Sequence, residues 1–408
     1  MAHRHVPDEG PARPASPRVR LVLLLVLAPL VLATAVGLVV LWPSAPTTAG
    51  VDGGSAVTVR GTVLEVVEVD CGETLGTDEP QTCADLRVEL ADGTEVTVAA
   101  TPALVAAGLS AGADVHVVEL PGEDGATAYE LADVDRTVGL AVLAGVFAVL
   151  VVAVARLRGF AALVGLMLAF GLLRQFILPA LLSGEPAVPV AVVGSAAIMF
   201  VALYVAHGVS LRTTTAVIGT MAGLAITAVL GWFATQALLL TGGGGDDERL
   251  LAAVAPDAEL RGVLLAGLVL AGLGVLNDVT VTQASAVWEL HDAHPERPTS
   301  RLVGSAMRIG RDHIASSVYT LVFAYAGAAL PLLLLITVYG DPLGLVVSSE
   351  SIATEVVSML VGAIGLVLAV PLTTVVGALV LRADTRPDDA TRPDDATRPD
   401  DVTPAETD

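Results

Sequence analysis

The chain has 408 residues, a formal net charge of −22 and a composition that is 54% hydrophobic, with a mean hydropathy of +0.74. Soluble domains average about 45–50% apolar residues and lack apolar runs as long as a membrane span, so this composition excludes an ordinary soluble protein. All 21 basic residues are arginine; they are scattered along the chain, and the soluble segments are mostly acidic. Nucleic-acid binding is therefore disfavoured.

Eight hydrophobic segments are long enough to cross a membrane, for which about 20 apolar residues suffice. They cover residues 21–42, 138–157, 160–182, 188–207, 213–240, 262–282, 314–339 and 352–381. The first segment follows a basic stretch, but its apolar run is longer than the roughly 7–15 residues of a signal-peptide core. We therefore expect an uncleaved membrane anchor rather than a cleaved signal peptide.

The distribution of arginine predicts the orientation in the membrane. If the N-terminus is cytoplasmic, 15 arginines lie on the cytoplasmic side, 5 lie outside and Arg174 lies within a span. Because cytoplasmic loops carry the excess of basic residues, this orientation is favoured, and it places both termini in the cytoplasm.

The predicted fold is an α-helical polytopic membrane protein with about eight transmembrane helices and a small all-β domain after the first helix. Its parts are a cytoplasmic segment 1–20, an anchor 21–42, an extracytoplasmic β domain 43–136, a seven-helix membrane domain 137–382 and an acidic tail 383–408. The tail contains the consecutive repeats TRPDDA, TRPDDA and TRPDDV. Proline and paired aspartates at this period cannot bury a core, so the tail is predicted to be disordered.

The predicted extracytoplasmic domain is acidic and rich in short β-type runs. Residues 51–136 hold 18 Asp and Glu against 3 Arg. Five strands are predicted, at 57–69, 86–90, 95–99, 114–120 and 128–134, with a short helix at 101–109. Asp92-Gly93 between the second and third strands is a strong hairpin signal. A helix after the third of five strands indicates a small OB-like barrel.

Cys71 and Cys83 are the only cysteines, and both lie in this domain. On the oxidising side of the membrane such a pair favours a structural disulfide, which would contribute about 3 kcal/mol by the loop-entropy argument. Free thiols and a metal-binding pair are the alternatives. The surrounding acidic residues match no calcium-loop spacing and are predicted to form a solvated surface.

The stretch LNDVTVTQASAVWEL, residues 276–290, carries the most chemical information. It follows a membrane-grade apolar run, and an ionisable residue there costs about 2.5–3.5 kcal/mol to insert, which makes it a candidate functional group. On a helix, Asp278, Thr282, Ser285 and Glu289 share one face. We predict that this face, with the adjacent Asn277, lines a solute pathway or an ion site in which Asp278 titrates. An aspartate satisfied by hydroxyls of neighbouring helices is the structural alternative.

Arg174 is the second charge within a predicted span. At 1.5 Å per residue, Asp278 lies about 8 Å from the inner edge of the hydrocarbon and Arg174 about 9 Å from the outer edge, so their depths differ by roughly 13 Å. We therefore expect Arg174 to extend outward rather than to pair with Asp278.

Other polar residues lie near the cytoplasmic ends of the spans. Glu289, His291, Asp292 and His294 could hold a metal, but their spacing matches no established zinc pattern and favours a solvated helix end. His313, at the start of the seventh span, could sense protons near neutral pH. No metal site and no cofactor are predicted.

Three motifs together resemble the YibE/F family of bacterial multispan membrane proteins. They are GVLNDVTVTQASAVWEL, GRDHIASSVYTLVFAYAGAALPLLLL and ATEVVSMLVGAIGLVLAVPLTT. The resemblance covers about residues 138–381 and implies a plasma-membrane protein with an aspartate, here Asp278, in the motif helix. The domain with Cys71 and Cys83 is similar to the extracytoplasmic segment of actinobacterial-type members. The resemblance implies no established biochemical activity.

Two functions are consistent with these patterns. The first is a permease-like or exporter-like protein that moves a small solute or ion past Asp278. The second is a non-transporting membrane scaffold whose acidic outer domain binds an envelope protein partner. An enzyme is not expected, because the chain lacks the Ser-x-x-Lys, Gly-x-Ser-x-Gly and His-Glu-x-x-His motifs.

Overall fold

A computed structural model describes residues 16–43, 57–70, 82–121, 127–340 and 342–384. The chain separates into two compact units, one formed by residues 47–163 and the other by residues 1–46 and 164–408. Cys71, one half of the predicted disulfide, and the TRPDDA repeats lie outside the described residues. The disulfide and the disorder of the tail therefore stay predictions.

The described chain contains twelve α-helices and five β-strands. The strands are β1 (Val57–Asp70), β2 (Thr82–Leu90), β3 (Glu95–Ala100), β4 (Asp114–Pro121) and β5 (Thr127–Val134). The helices are α1 (Pro17–Val40), α2 (Pro102–Ala106), α3 (Thr137–Leu172), α4 (Leu178–Leu182), α5 (Ala187–His207), α6 (Leu211–Ala237), α7 (Asp246–Val254), α8 (Leu260–Ala293), α9 (Thr299–Ala328), α10 (Leu330–Tyr339), α11 (Leu343–Ser348) and α12 (Glu350–Asp384). A single π-helical turn, Leu173–Ile177, joins α3 to α4.

The five strands form one curled antiparallel sheet in the order β3-β2-β1-β4-β5. This order, with α2 after the third strand, confirms the predicted OB-like domain. The hairpin between β2 and β3 turns at Asp92-Gly93, where Gly93 has a φ of +85° that glycine adopts without steric cost. The Asp92 carboxylate accepts a hydrogen bond from the N–H of Thr94 at 2.9 Å and fixes the turn.

The sheet curls around an apolar core because its strands alternate inward and outward side chains. In β2 and β3 the inward residues are Ala84, Leu86, Val88, Leu90, Val96, Val98 and Ala100. Gly61 of β1 pairs with Leu90 on one side and Val115 on the other, and a side chain there would collide with that of Val88. The glycine therefore permits the tight centre of the curled sheet.

Six described helices or helical stretches are long and apolar enough to span a membrane, and a seventh span results if α9 and α10, bent by 63°, act as one. The sequence predicted about eight. The difference arises at 137–182, where two predicted spans form one helical stretch of 46 residues.

A break in the backbone lies between those two predicted spans. Arg156 has a φ of 55° and a ψ of −134°, which is not helical and is costly for a residue other than glycine. A Cβ added at Gly159 would lie 2.5 Å from the carbonyl oxygen of Val151, whereas eight residues of straight helix separate two positions by about 12 Å. The chain therefore turns back sharply here, at the predicted connection.

The membrane unit is centred on α8, which packs against α6 and α12 through small residues. A Cβ added at Gly223 of α6 would lie 2.6 Å from a methyl group of Leu276 and 3.1 Å from Ala369 of α12. Leu276 and Ala369 are fully buried. Glycine at such positions lets membrane helices approach closely enough for dispersion contacts and interhelical hydrogen bonds.

The two ends of this bundle are marked by polar contacts. At one end, called here the Arg212 end, Arg212 at the start of α6 lies 3.8 Å from Glu289 near the end of α8. At the other, the Glu350 end, the Glu350 carboxylate accepts hydrogen bonds from the N–H groups of Thr241 and Gly242. The N–H of Ser16 donates to the Asp384 carboxylate at 2.7 Å, so α1 begins where α12 ends.

The sharp turn at Arg156 leads to a prediction for Gly159. Gly159→Ala would push a methyl group into the Val151 carbonyl and should destabilise the protein by about 1–3 kcal/mol, the usual cost of overpacking. Gly145→Ala in the same helix is the matched control, since nothing lies within 4 Å of a Cβ there. Thermal unfolding in detergent should show a lower midpoint for Gly159→Ala alone. Equal midpoints for the two variants would contradict the turn.

Candidate functional site

The motif at 276–290 lies entirely within α8, and the structure divides its polar residues between two faces. Thr280 is fully buried and Gln283 is 3% exposed. Asp278, in contrast, has a side chain that is 76% exposed. The polar groups that hold the bundle together are therefore different from the acidic residue that the sequence singles out.

The buried face joins α8 to three other helices. The hydroxyl groups of Thr280 and Thr220, from α6, lie 2.6 Å apart. The Gln283 amide donates to the carbonyl oxygen of Ala306 in α9 at 3.1 Å and to the hydroxyl of Thr374 in α12 at 2.6 Å. In an apolar surrounding, each unpaired polar group would carry a large desolvation cost, so these bonds fix the register of the four helices.

A glycine makes room for the Gln283 amide. A Cβ added at Gly310 of α9 would lie 2.9 Å from the Gln283 amide oxygen and 2.7 Å from a methyl group of Val370. Any larger residue at 310 would displace the amide from its partners. Small residues and a polar side chain thus act together at the crossing of α8 with α9.

The exposed face of the motif meets a histidine. Asp278 Oδ2 lies 3.9 Å from His313 Nε2 of α9, whose side chain is 35% exposed. Thr282 turns back to donate its hydroxyl to the Asp278 carbonyl at 2.8 Å. The amide oxygen of Asn277 is buried and lacks a hydrogen-bond partner among the described residues. Asp278 and His313 are the titratable pair of this surface.

The length of α5 indicates how deep the Asp278–His313 pair lies in the membrane. Its 21 residues rise about 31 Å, close to the ~30 Å thickness of a hydrocarbon core. The first residue, Ala187, packs on Gly262 of α8, and the last, His207, lines a small cavity with Val281. The core therefore extends along α8 from about Gly262 to Val281. Asp278 lies within it, about one helical turn from its edge near Val281, the edge that faces the Arg212 end.

The remaining predicted residues lie nearer the Arg212 end. Ser285 borders a cavity of about 10 Å³, room for roughly one water molecule, together with Arg212 and Thr213. The Glu289 side chain is 77% exposed and lies 3.8 Å from Arg212. The structure thus spreads the predicted set along α8: Asp278 pairs with His313, Ser285 meets a one-water cavity, and Glu289 meets Arg212.

Arg174 and the acidic and histidine residues at the end of α8 are separate from this pair. Arg174 is exposed on the π-helical turn that precedes Pro179. Pro179 lacks an N–H, and a π-turn is a common way for a helix to accommodate such a defect. No group of three or more Asp, Glu, His or Cys side chains is arranged to hold a metal within the described ranges.

Sequence reasoning missed the buried partners of the motif. Thr280 and Gln283 were visible as polar residues, but their partners Thr220 and Thr374 lie 60 and 91 residues away along the chain. A signal for the Asp278–His313 pair did exist. Asp278 lies in the predicted span 262–282 and His313 directly precedes the next predicted span, 314–339; consecutive spans run antiparallel, so the end of one and the start of the next lie on the same side of the membrane.

The β domain holds a second polar site. A cavity of about 290 Å³ lies where β1 meets β2 and β4, and its charged lining residues are Arg60, Glu89, Asp114 and Asp135. Asp135 lies 3.7 Å from Arg60 and 3.6 Å from His116, and its carboxylate accepts a hydrogen bond from the N–H of Thr137 at 2.8 Å. The hydrogen bonds that Asp135 accepts from the side chain and the N–H of Thr137 hold its pKa below the usual 3.8. Burial raises this pKa, and the charges of Arg60 and His116 lower it further.

The apolar helices and the close packing around α8 define a multispan helical membrane protein. A model of the YibE/F-like protein family matches residues 143–383, more than half of the chain. The chain therefore belongs to the YibE/F-like protein family, as its three motifs predicted. No curated protein and no solved structure matches it.

The lowered pKa of Asp135 gives the β domain an acid-dependent stability. Its ionised form stabilises the folded state at and above about pH 4, and this contribution is lost as the pH falls through the lowered pKa. Asp135→Asn should therefore weaken hydrogen-exchange protection of β5 at pH 7, with a smaller difference from wild type near pH 3. Glu95→Gln, at an exposed acid of β3, should behave as wild type. A difference for Asp135→Asn that is the same at both pH values would refute this account.

Proposed function

We propose that this YibE/F-like protein is a permease that binds a proton or a cation at Asp278 and His313 as a small solute or ion crosses beside α8. The observation that carries the proposal is the 3.9 Å approach of these side chains, one turn inside the hydrocarbon core. A carboxylate at this depth must meet water, protein or an ion, because lipid tails cannot solvate it.

The exposure of Asp278 supports a hydrated position between α8 and α9. Its side chain is 76% exposed although its helix is the most central one of the unit. Asn277 and Thr282 flank it with further polar atoms, and the Asn277 amide oxygen has no partner in the described part of the chain. A carboxylate exposed in this way could exchange a proton or a cation with one aqueous side.

We also propose the orientation that the arginines favour. The Arg212 end would face the cytoplasm of a bacterial cell, the β domain would lie outside the plasma membrane, and both termini would be cytoplasmic. The hydrogen bond between Ser16 and Asp384 supports this arrangement, because it brings the start of the first helix and the end of the last to one end. The pair at Asp278 would then be closer to the cytoplasm.

A scaffold that binds an envelope protein is the second candidate, and two observations favour it. The contacts of Gly223 with Leu276 and Ala369 fill the space between α6, α8 and α12. The β domain also presents a polar cavity of about 290 Å³ that a protein side chain could enter. A scaffold needs no proton movement, so measured transport separates the two candidates.

The test is proton movement in proteoliposomes that contain a trapped pH-sensitive dye. Asp278→Asn should reduce proton movement to the rate of protein-free liposomes, because it keeps the shape of the side chain but removes the titrating group. His313→Gln should also lower the rate. Asp292→Asn, an exposed position on the same helix beyond the pair, should retain the wild-type rate.

Purification in equal yield would show that each variant inserts and folds. Wild-type proton movement by Asp278→Asn would eliminate Asp278 as the titrating group. No proton movement above protein-free liposomes by the wild-type protein itself would favour the scaffold.

A further inference from the structure

Strand register places a row of three polar residues along the polar cavity of the β domain. Thr62 of β1 pairs with Glu89 of β2 on one side and with Asp114 of β4 on the other, and all three line the cavity. Leu90 and Val115, their neighbours along the strands, are buried in the core, so the three polar side chains alternate to the outer face. Two carboxylates therefore flank one hydroxyl in a single row across three strands.

The two carboxylates of this row have no cationic partner in the described part of the chain. Glu89 and Asp114 are both exposed, and neither forms an ion pair with a described residue. The Thr62 hydroxyl donates to the Asp114 carboxylate at 3.0 Å, which orients that group without adding a charge. Both negative charges are therefore free to meet a cation that enters the cavity.

The one cationic side chain among the residues that line this cavity is directed elsewhere. Arg60 lies 3.7 Å from the Asp135 carboxylate, and His116 lies 3.6 Å from the same group. The charged lining residues are three carboxylates and one guanidinium, which gives the lining a net charge of −2. Because Arg60 compensates Asp135, this remaining charge belongs to Glu89 and Asp114.

The spacing of the two carboxylates favours an organic cation over a metal ion. Neighbouring strands are about 4.8 Å apart, so Thr62 separates the backbones of Glu89 and Asp114 by about 10 Å. A metal ion needs several ligand atoms that converge to about 2.0–2.6 Å, and no group of three or more acidic, histidine or cysteine side chains in the described ranges is arranged in this way. Two ammonium groups on an alkyl stem can instead reach one carboxylate each.

We propose that this cavity binds an organic dication, with one ammonium group at Glu89, the other at Asp114 and the alkyl stem beside Thr62. The cavity volume of about 290 Å³ is close to the roughly 300 Å³ at which small-molecule pockets begin, which suits a short diamine. Two sources supply this chemistry: a free diamine, or two basic side chains of an envelope protein. The site lies within the β domain, so it holds whether or not the protein transports at Asp278.

The test is isothermal titration calorimetry of the full chain in an uncharged detergent. Putrescine, a four-carbon diamine, should bind saturably at one site. Butylamine has one ammonium group on the same stem and should bind about fivefold more weakly, the upper end for the loss of one exposed ion pair. Magnesium chloride should show no saturable binding. A lack of putrescine binding, or equal binding of magnesium, would overturn the proposal.

Variants of the two carboxylates locate the site. Glu89→Gln and Asp114→Asn should each raise the Kd of putrescine about fivefold, because each removes one ion pair. Glu130→Gln is the matched control, since Glu130 is an exposed acid of β5 that does not line this cavity. Equal thermal midpoints would show that the variants fold. An unchanged Kd in both cavity variants, or an equal rise for Glu130→Gln, would overturn the site.

Arg60→Gln tests the sign of the ligand charge. It should lower the Kd of putrescine, because it removes the one positive charge of the lining. Weaker binding of putrescine by Arg60→Gln would contradict the assignment of the cavity to a cation.

A peptide separates the two sources. Acetyl-lysyl-glycyl-lysine amide carries two ammonium groups on a peptide backbone, and its binding should depend on the same two carboxylates. Tighter binding of the peptide than of putrescine would identify a protein partner as the source, and tighter binding of putrescine a free diamine; both results support a dication site. Peptide and putrescine binding that are both insensitive to Glu89→Gln and Asp114→Asn would overturn it.

Discussion

A single amide side chain sets the arrangement of the membrane unit. Gln283 donates to α9 through Ala306 and to α12 through Thr374, while its neighbour Thr280 bonds α6 through Thr220. Each such bond contributes only about 0.6 kcal/mol on average between membrane helices, but leaving these groups unpaired in an apolar interior would cost considerably more. The four helices consequently meet in one register, with Gly310 giving the amide its space.

That register determines where Asp278 lies. With Thr280 and Gln283 turned inward, the helical period turns Asp278 outward, toward α9 and His313. The bonds that fix the helices are therefore made by neutral polar groups, and the aspartate of the motif lies at the edge of the bundle.

The sequence was sufficient for the local elements and insufficient for the contacts among helices. The β domain followed from alternation and from Asp92-Gly93, since both signals are local. The spans followed from apolar runs. The turn at Arg156 lies between two of the predicted spans, although the backbone before and after it is helical. The inward face of α8 could not be predicted, because both of its faces carry polar residues and the partners of Gln283 lie 23 and 91 residues away.

We expect the motif to have one face that forms the bundle and one face that water reaches. The most direct measurement is the reaction of Asp278→Cys and Thr280→Cys with a membrane-impermeant thiol reagent in inverted membrane vesicles, with the wild-type chain as background. These positions are two residues apart, so depth hardly differs between them. We expect rapid labelling at position 278 and protection at position 280. Protection at both positions, or equal labelling at both, would contradict this division of the motif into two faces.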